Sequence, residues 1–455
     1  MHDKALLDLH TFSDLLSLGA DSLHVFFRAG IDASGRVRLD FDPIPLTNES
    51  KFILFGWSRD GDDIAHFCLS GLAESGARFN TDSLHFNTLG ESSDASGSRM
   101  RPKARCSKAA FSLKLSQPAK SPVLRMRMKG FENFSSHHAE CGLGRVAIAG
   151  QHSFENADMV TGWIAIEANP PPSDAAEWRV KAERLLEHAR NIMTLAASSV
   201  LRTPVMEYFE SDRLEVTATS ETVQHPSDFR VIHFLAQETI FETAIRSFFN
   251  PPIKINRLYF AIEWLAMEVS YNEERLANAM TALETLIDSN LEESDVYIQP
   301  KKTFEKTTRR ALRKVIRNCL EKWPAEDSAE VLKELNEKLA ELNRRSFLRK
   351  LQILAARWGV PLHDISEDRL NAAKQARDKV VHRGQYYEDW REGDADLWTH
   401  AVLVREVATR FLFTVIGYKG RYISYLGGYR DAGFPPHGKV DTPQEAFIAA
   451  LKVDV

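Results

Sequence analysis

The chain has 455 residues, 44% of them hydrophobic and 27% charged, with a net charge of −5. Those values suit a soluble globular protein of two or three domains and exclude wholesale disorder. No run reaches about eighteen uninterrupted apolar residues; even the greasy 401–417 stretch carries Arg405, Glu406 and Arg410, so no membrane partner is expected.

The opening MHDKALLDLH has no basic region followed by an apolar run, so no signal peptide is expected and the predicted location is cytoplasmic. The four cysteines, Cys68, Cys106, Cys141 and Cys319, are widely spaced, form no C-x-x-C pair and read as reduced core thiols. Residues 1–170 read mostly as strands. Leu23–Phe27, Phe52–Phe55 and Trp163–Ile166 are short apolar runs set between glycines and aspartates. Phe111–Leu115 alternates apolar and polar as a half-buried strand does, and Ser92–Ser98 reads as a loop. From Ala95 to Phe131 there are ten Lys or Arg and no Asp or Glu, a segregation that fits a solvated surface or contact with nucleic acid or an acidic ligand. His137-His138-x-x-Cys141 holds metal-ligand residue types, but without a second cluster it is a weak zinc signature, and no metal or cofactor is expected.

Asn169-Pro170-Pro171-Pro172 continues neither a helix nor a central strand and marks a boundary. Ser173 or Asp174 can cap a helix running from Ala175 to about Leu201, followed by an extended piece near Leu214–Thr219 and a helix around Leu235–Phe248. The region 173–250 therefore reads as a helical connection that ends at Asn250-Pro251-Pro252. Beyond it, helices are predicted at 256–271, 273–289, 303–322, 328–357, 366–383 and 397–416, with a turn-rich tail over 426–455. In the third, Phe304, Thr308, Leu312, Val315 and Cys319 form one stripe, and Lys302, Lys306, Arg309, Arg313 and Arg317 form a basic outer one. The fold class is α+β: a β-rich N-terminal domain followed by an all-α bundle.

The segment Arg377-Asp378-Lys379-Val380-Val381-His382-Arg383-Gly384 carries the most chemistry. Ser366 can cap its helix, Glu367 and Asp368 suit its first turn, and Gly384 can close it in a left-handed conformation. A histidine moves protons near neutral pH, and arginine is a fixed planar cation suited to phosphate. With 15 histidines in the chain the spacing alone arises about once by chance, so the context carries the weight. Leu370, Ala373, Arg377, Val380 and Gly384 form a core-facing seam, so Arg377 needs a partner carboxylate or a phosphate. Glu284, at the edge of the stripe formed by Met280, Leu283 and Ile287, is a candidate partner. Asp378 and His382 lie four apart on one face, whereas Arg377 and His382 are five apart, about 140° around the helix. Residues 301–384 hold 21 Lys or Arg against 12 Asp or Glu, an excess suited to a polyanion.

With these residues the chain resembles the HEPN superfamily, and within it the ApeA-like anti-phage proteins. The motif R-x4-6-H is matched by Arg377 and His382, with Asp378 as the polar residue after the arginine. NAMTALETLID (278–288) and SFLRKLQILAARWGV (346–360) are similar to the corresponding helices, and the resemblance covers roughly 255–425. It implies a metal-independent endoribonuclease, without cofactor, acting as a homodimer whose two motifs form one composite site. His382 would be the general acid/base and Arg377 would hold the phosphate, giving a 2′,3′-cyclic phosphate and a 5′-hydroxyl. Asp378 would orient the imidazole, and Lys379, Arg383, Lys306 and Arg313 are candidate RNA contacts. The β-rich half would sense a phage-derived or nucleotide trigger and restrain the nuclease until then. HEPN toxins paired with a nucleotidyltransferase carry tyrosine two residues after the histidine; here Gly384 stands there, and Tyr386 and Tyr387 are displaced. The alternative is a non-catalytic HEPN-like module that binds RNA or protein.

Overall fold

The computed structural model describes residues 5–55, 67–94, 97–151, 158–223, 229–267, 269–321, 325–384 and 390–436. The chain divides into two compact units, Met1–Phe249 with Ala266–Glu268, and Asn250–Leu265 with Val269–Val455. The first is β-rich and the second almost wholly helical, an α+β architecture.

In the first unit β1 (Leu7–Leu18), β2 (Asp21–Ile31), β3 (Val37–Phe41) and the two-residue β4 (Ile44–Pro45) precede helix α1 (Asn48–Leu54). Then come β5 (Phe67–Leu72), the long hairpin of β6 (Arg78–Asp94) and β7 (Gly97–Cys106), and β8 (Lys108–Lys114). They are followed by β9 (Val123–Lys129), β10 (Phe134–Cys141), β11 (Gly144–Gly150) and β12 (Val160–Glu167). After α2 (Ala175–Ala197) the chain returns as β13 (Arg202–Glu210) and β14 (Arg213–Thr219), and α3 (Gln237–Phe249) closes the unit.

The strands form one antiparallel sheet along the path β10-β11-β12-β9-β13-β14-β8-β6-β5-β1-β2-β3, with β7 joined to β6 and β4. Period-two patterning explains them: in β9, Leu124, Met126 and Met128 are buried on one face while Arg125 and Arg127, on the other, are half-buried against the carboxylate of buried Glu207. Because β3 lies against β7, strands β1, β2, β3, β7, β6 and β5 ring a core of Phe12, Phe27, Phe67, Phe79 and Met100.

Several expectations need correcting. The stretch 173–250 is not only a helical connection, because β13 pairs β9 and β14 pairs β8 in the same sheet. Phe52–Phe55 is not a strand: Thr47 and Ser50 form a reciprocal capping box that starts α1. Ser92–Ser98 is a hairpin end, with Ser92 opposite Arg99 and Ser93 opposite Ser98, residues 95–96 lying outside the described set. Of the cysteines, Cys106 is a core thiol, but Cys68 and Cys319 are exposed.

His188 on α2 is buried against α3, with Nε2 2.9 Å from Ser247 Oγ. Burial pushes the imidazole down from its ordinary 6.5 to about 4, against the pull of the Ala244 carbonyl. Between those values the unfolded chain binds a proton that the folded unit refuses, so stability falls as pH is lowered through this window. The loss should approach about 3 kcal/mol by the lower end. Urea titrations at pH 7 and pH 5 should show it, and His188→Gln should flatten it; an unchanged slope in that variant would place the loss elsewhere.

The second unit comprises α4 (Leu258–Ala266), α5 (Asn272–Asp288), the short α6 (Glu293–Val296) and α7 (Lys301–Lys306). Then follow α8 (Thr308–Leu320), α9 (Ala325–Glu341), α10 (Phe347–Trp358), α11 (Glu367–Arg383) and α12 (Trp390–Ile416). A hairpin of β15 (Gly420–Ser424) and β16 (Arg430–Phe434) ends it, so the region after 425 is not simply turns, while 437–455 lies outside the described residues. α12 packs on α5 and α11 through residues such as Leu397, Ala401, Val404, Ala408 and Phe411.

The helix predicted over 303–322 breaks at Thr307, and the one over 328–357 breaks between Glu341 and Phe347. At the second break, buried Asn343 accepts from the Gln299 N–H at 2.9 Å and donates to the Gln299 carbonyl at 2.9 Å. Ser346 then caps α10.

Candidate active site on the Arg377–His382 helix

Helix α11 begins at Ser366, whose hydroxyl accepts from the Arg369 N–H, and ends at Gly384 in the left-handed conformation (φ 76°). The Gly384 N–H returns to the Val380 carbonyl at 2.9 Å, closing the last turn. Leu370, Ala373 and Ala376 are the buried face, so the packed stripe runs slightly to one side of the predicted seam. Arg377 and Val380 are half-buried at its edge.

The guanidinium of Arg377 finds its carboxylate on the neighbouring α5. Nη2 donates to Glu284 Oε2 at 2.9 Å, and Nη1 donates to Asp378 Oδ1 at 3.3 Å. Lys374 Nζ, one turn back, donates to Asp378 Oδ2 at 2.6 Å. Beyond Glu284 on the same helix, Asp288 accepts from Lys350 of α10 at 2.5 Å. These contacts tie three helices together with alternating charge.

The two carboxylates in this chain respond in opposite directions. Burial raises the Glu284 carboxyl above its ordinary value; Arg377 counters part of the effect, and the anions Asp288 and Asp378 add to the rise. Burial also acts to raise Asp378, but the hydrogen bond and charge of Lys374, with those of Arg377, hold it below the usual carboxylate range. Glu284 is thus the carboxyl readier to hold a proton, and Asp378 stays an anion.

His382 lies in the last turn of α11, exposed, beside exposed Val381. It makes no hydrogen bond or ion pair with a described residue. Asp378 therefore does not orient the imidazole as expected: its oxygens are taken by Lys374 and Arg377. Within one chain Arg377 and His382 are not neighbours, being about 7.5 Å apart in helical rise. Lys379 and Arg383 are exposed on the same helix. Tyr386 and Tyr387 lie outside the described residues.

The basic stripe expected on a single long helix is split. Lys306 is exposed on α7, whereas Arg313 of α8 turns inward and donates through Nε to Asn336 Oδ1 at 2.8 Å. Arg309 likewise reaches the Asn336 carbonyl at 2.9 Å. Val315 and Cys319, expected in the apolar stripe, are exposed. The break at Thr307 resets the helical phase, which is why a stripe drawn through both pieces fails.

Sequence reasoning did not single out Lys374, Asp288 or Lys350. The Lys374–Asp378 spacing of four was a legible signal; the Asp288–Lys350 pair, 62 residues apart, was not. His400 of α12 was also missed. It is half-buried, and burial lowers its pKa, opposed by Asp396 and assisted by Arg369 and Lys379 of α11.

Among the described residues no three His, Cys, Asp or Glu side chains gather so as to hold a metal ion. His137 and His138 alternate across β10 and so face opposite sides of the sheet. No helix among the described residues is long and apolar enough to cross a membrane. Compared with protein-family models, curated proteins and solved structures, the chain matches none.

Proposed function

We propose that the chain is a metal-independent endoribonuclease of the HEPN type, acting as a homodimer in anti-phage defence by abortive infection, with the β-rich unit sensing a phage-derived or nucleotide trigger. The observation that carries this reading is the half-buried guanidinium of Arg377, braced by Glu284 and Asp378, on the helix that ends in the exposed imidazole of His382. A fixed cation stabilises the charge that gathers on the non-bridging phosphate oxygens, and an accessible imidazole can take a proton from a 2′-hydroxyl and return one to the leaving 5′-oxygen. A two-fold pairing of α11 with its copy brings the arginine of one protomer near the histidine of the other, which one helix alone does not do.

Asp378 serves here as a brace for Arg377, and Glu284 as its second anchor. Lys379, Arg383 and Lys306 contact flanking phosphates, while Arg313 would first have to leave Asn336. The competing reading is a non-catalytic RNA- or protein-binding module, favoured by the neutralisation of Arg377 by two carboxylates. Incubating the purified protein with RNA in EDTA separates the two: fragments ending in 2′,3′-cyclic phosphate are expected, and intact RNA bound to the protein would favour the module.

A further inference from the structure

We propose that the outer face of β7 binds single-stranded nucleic acid through its phosphates, independently of sequence. Met100, Pro102 and Cys106 of this strand are buried and Ala104 is half-buried, so Arg99, Arg101, Lys103 and Arg105 share the outward face. Successive members of the row are about 6.7 Å apart. That interval is comparable to the separation of neighbouring phosphates along an extended strand.

The positions flanking Arg101, Lys103 and Arg105 do not neutralise them. Across β6, Ser92 stands opposite Arg99, Gly90 opposite Arg101, Thr88 opposite Lys103 and His85 opposite Arg105. None is a carboxylate. On the other edge β4 bonds only beside Arg99 and Met100. The nearby strand β3 offers Asp40, which is already shared by Arg28 at 3.9 Å and Arg38 at 3.3 Å. The side chains of Arg101, Lys103 and Arg105 are exposed and make no hydrogen bond or ion pair with a described residue.

Like charges repeated along one face oppose folding, and outward strand positions accept many uncharged residues, so the fold itself does not require this row. A polyanion supplies the missing countercharge. The small side chains of Ser92, Gly90 and Thr88 leave a flat shelf beside the cations, open to a sugar-phosphate chain. Contacts to phosphate carry no sequence information, and none of these eight positions holds a Phe, Tyr or Trp on which a base would stack, so binding is through the backbone. The same lack of an apolar or aromatic anchor on the row disfavours a lipid surface.

The test uses the full chain and fluorescein-labelled oligo(dT), which lacks the 2′-hydroxyl needed for the proposed cleavage, so its result stands apart from that reading. Anisotropy is followed from about 50 to 200 mM KCl. The triple substitution Arg101→Thr, Lys103→Thr and Arg105→Thr keeps strand-favouring residues outward. It should make the slope of log Kd against log salt shallower by about 2, from three lost contacts at about 0.7 each. Circular dichroism and a thermal melt check folding; if the triple variant fails to fold, Arg101→Thr alone carries the test, with an expected change of about 0.7. Equal slopes in parent and variant, no oligonucleotide binding at all, or binding only to phosphatidylserine vesicles each overturn the proposal.

Discussion

Replacing His382 by alanine is expected to cut RNA cleavage by about a hundredfold or more, the range that positioned proton transfer supplies. The side chain is exposed and has no partner among the described residues, so the change should move stability by no more than about 0.5 kcal/mol. Loss of cyclic-phosphate ends with an unaltered melting curve is the expected pair of results, and retained cleavage rejects the mechanism. Arg377→Lys keeps the charge but loses the fork that reaches Glu284 and Asp378 together, so it too should lose most activity. Mixing the two inactive proteins tests the composite site. If each site takes its arginine from one protomer and its histidine from the other, a His382→Ala chain paired with an Arg377→Ala chain contains one intact site. Random exchange should then restore about a quarter of the parent activity, from half the dimers with one of two sites each. No recovery after exchange, with dimers present, would place both groups on one chain or remove them from catalysis.

Local sequence carried the motif helix well, and for reasons visible in α11. A serine cap, acids in the first turn and a terminal glycine all act within a few residues, and the helix starts and stops where they stand. The pairing of Arg377 with Glu284 was readable because a cation at the edge of a packed stripe needs an anion on the facing stripe. Asp378 bonds Lys374 and not His382, and a residue four ahead and a residue four behind are equally close on a helix. Lys374 brings a full positive charge and takes the carboxylate, and the imidazole of His382 goes without. The end of the β-rich unit was misplaced for a different reason. Glu207 of β13 meets Arg125 and Arg127 of β9 some 80 residues away, and nothing in the local pattern after the prolines announces that a helix is an excursion from a sheet rather than its end. The breaks at Thr307 and Asn343 did carry local signals, a pair of threonines of low helix propensity at the first and the Ser346 cap of α10 just beyond the second.

Arg410→Met should destabilise the helical unit by about 3–5 kcal/mol, the scale for removing one partner of a buried ion pair. Arg410 is almost wholly enclosed on α12. It donates to both oxygens of Asp364 at 2.5 and 2.9 Å, to the Pro361 carbonyl at 2.9 Å, and through Nε to Glu406 Oε1 at 2.9 Å. Glu406 in turn accepts from Tyr422 at 2.5 Å and Ser424 at 2.9 Å of β15, so one guanidinium joins the loop before α11, the core of α12 and the terminal hairpin. Without it, Glu406 is left as a buried anion supported only by two hydroxyls. Adding Glu406→Gln removes that charge, and the double variant should recover a substantial part of the loss, a coupling that a denaturant double-mutant cycle measures. Equal, additive losses would show that packing alone held the two residues together. The hydrogen bonds from Arg410 also hold the Asp364 carboxyl below its ordinary range, against the effect of burial. Its contribution is therefore full above the unfolded carboxylate value and is lost as pH falls through the depressed folded one. Arg410→Met should abolish that acid-dependent part, so parent and variant stabilities should converge as the pH is lowered. A gap that stays constant across the acid range would mean that neither carboxylate pair contributes and that the cost of the substitution lies in lost packing.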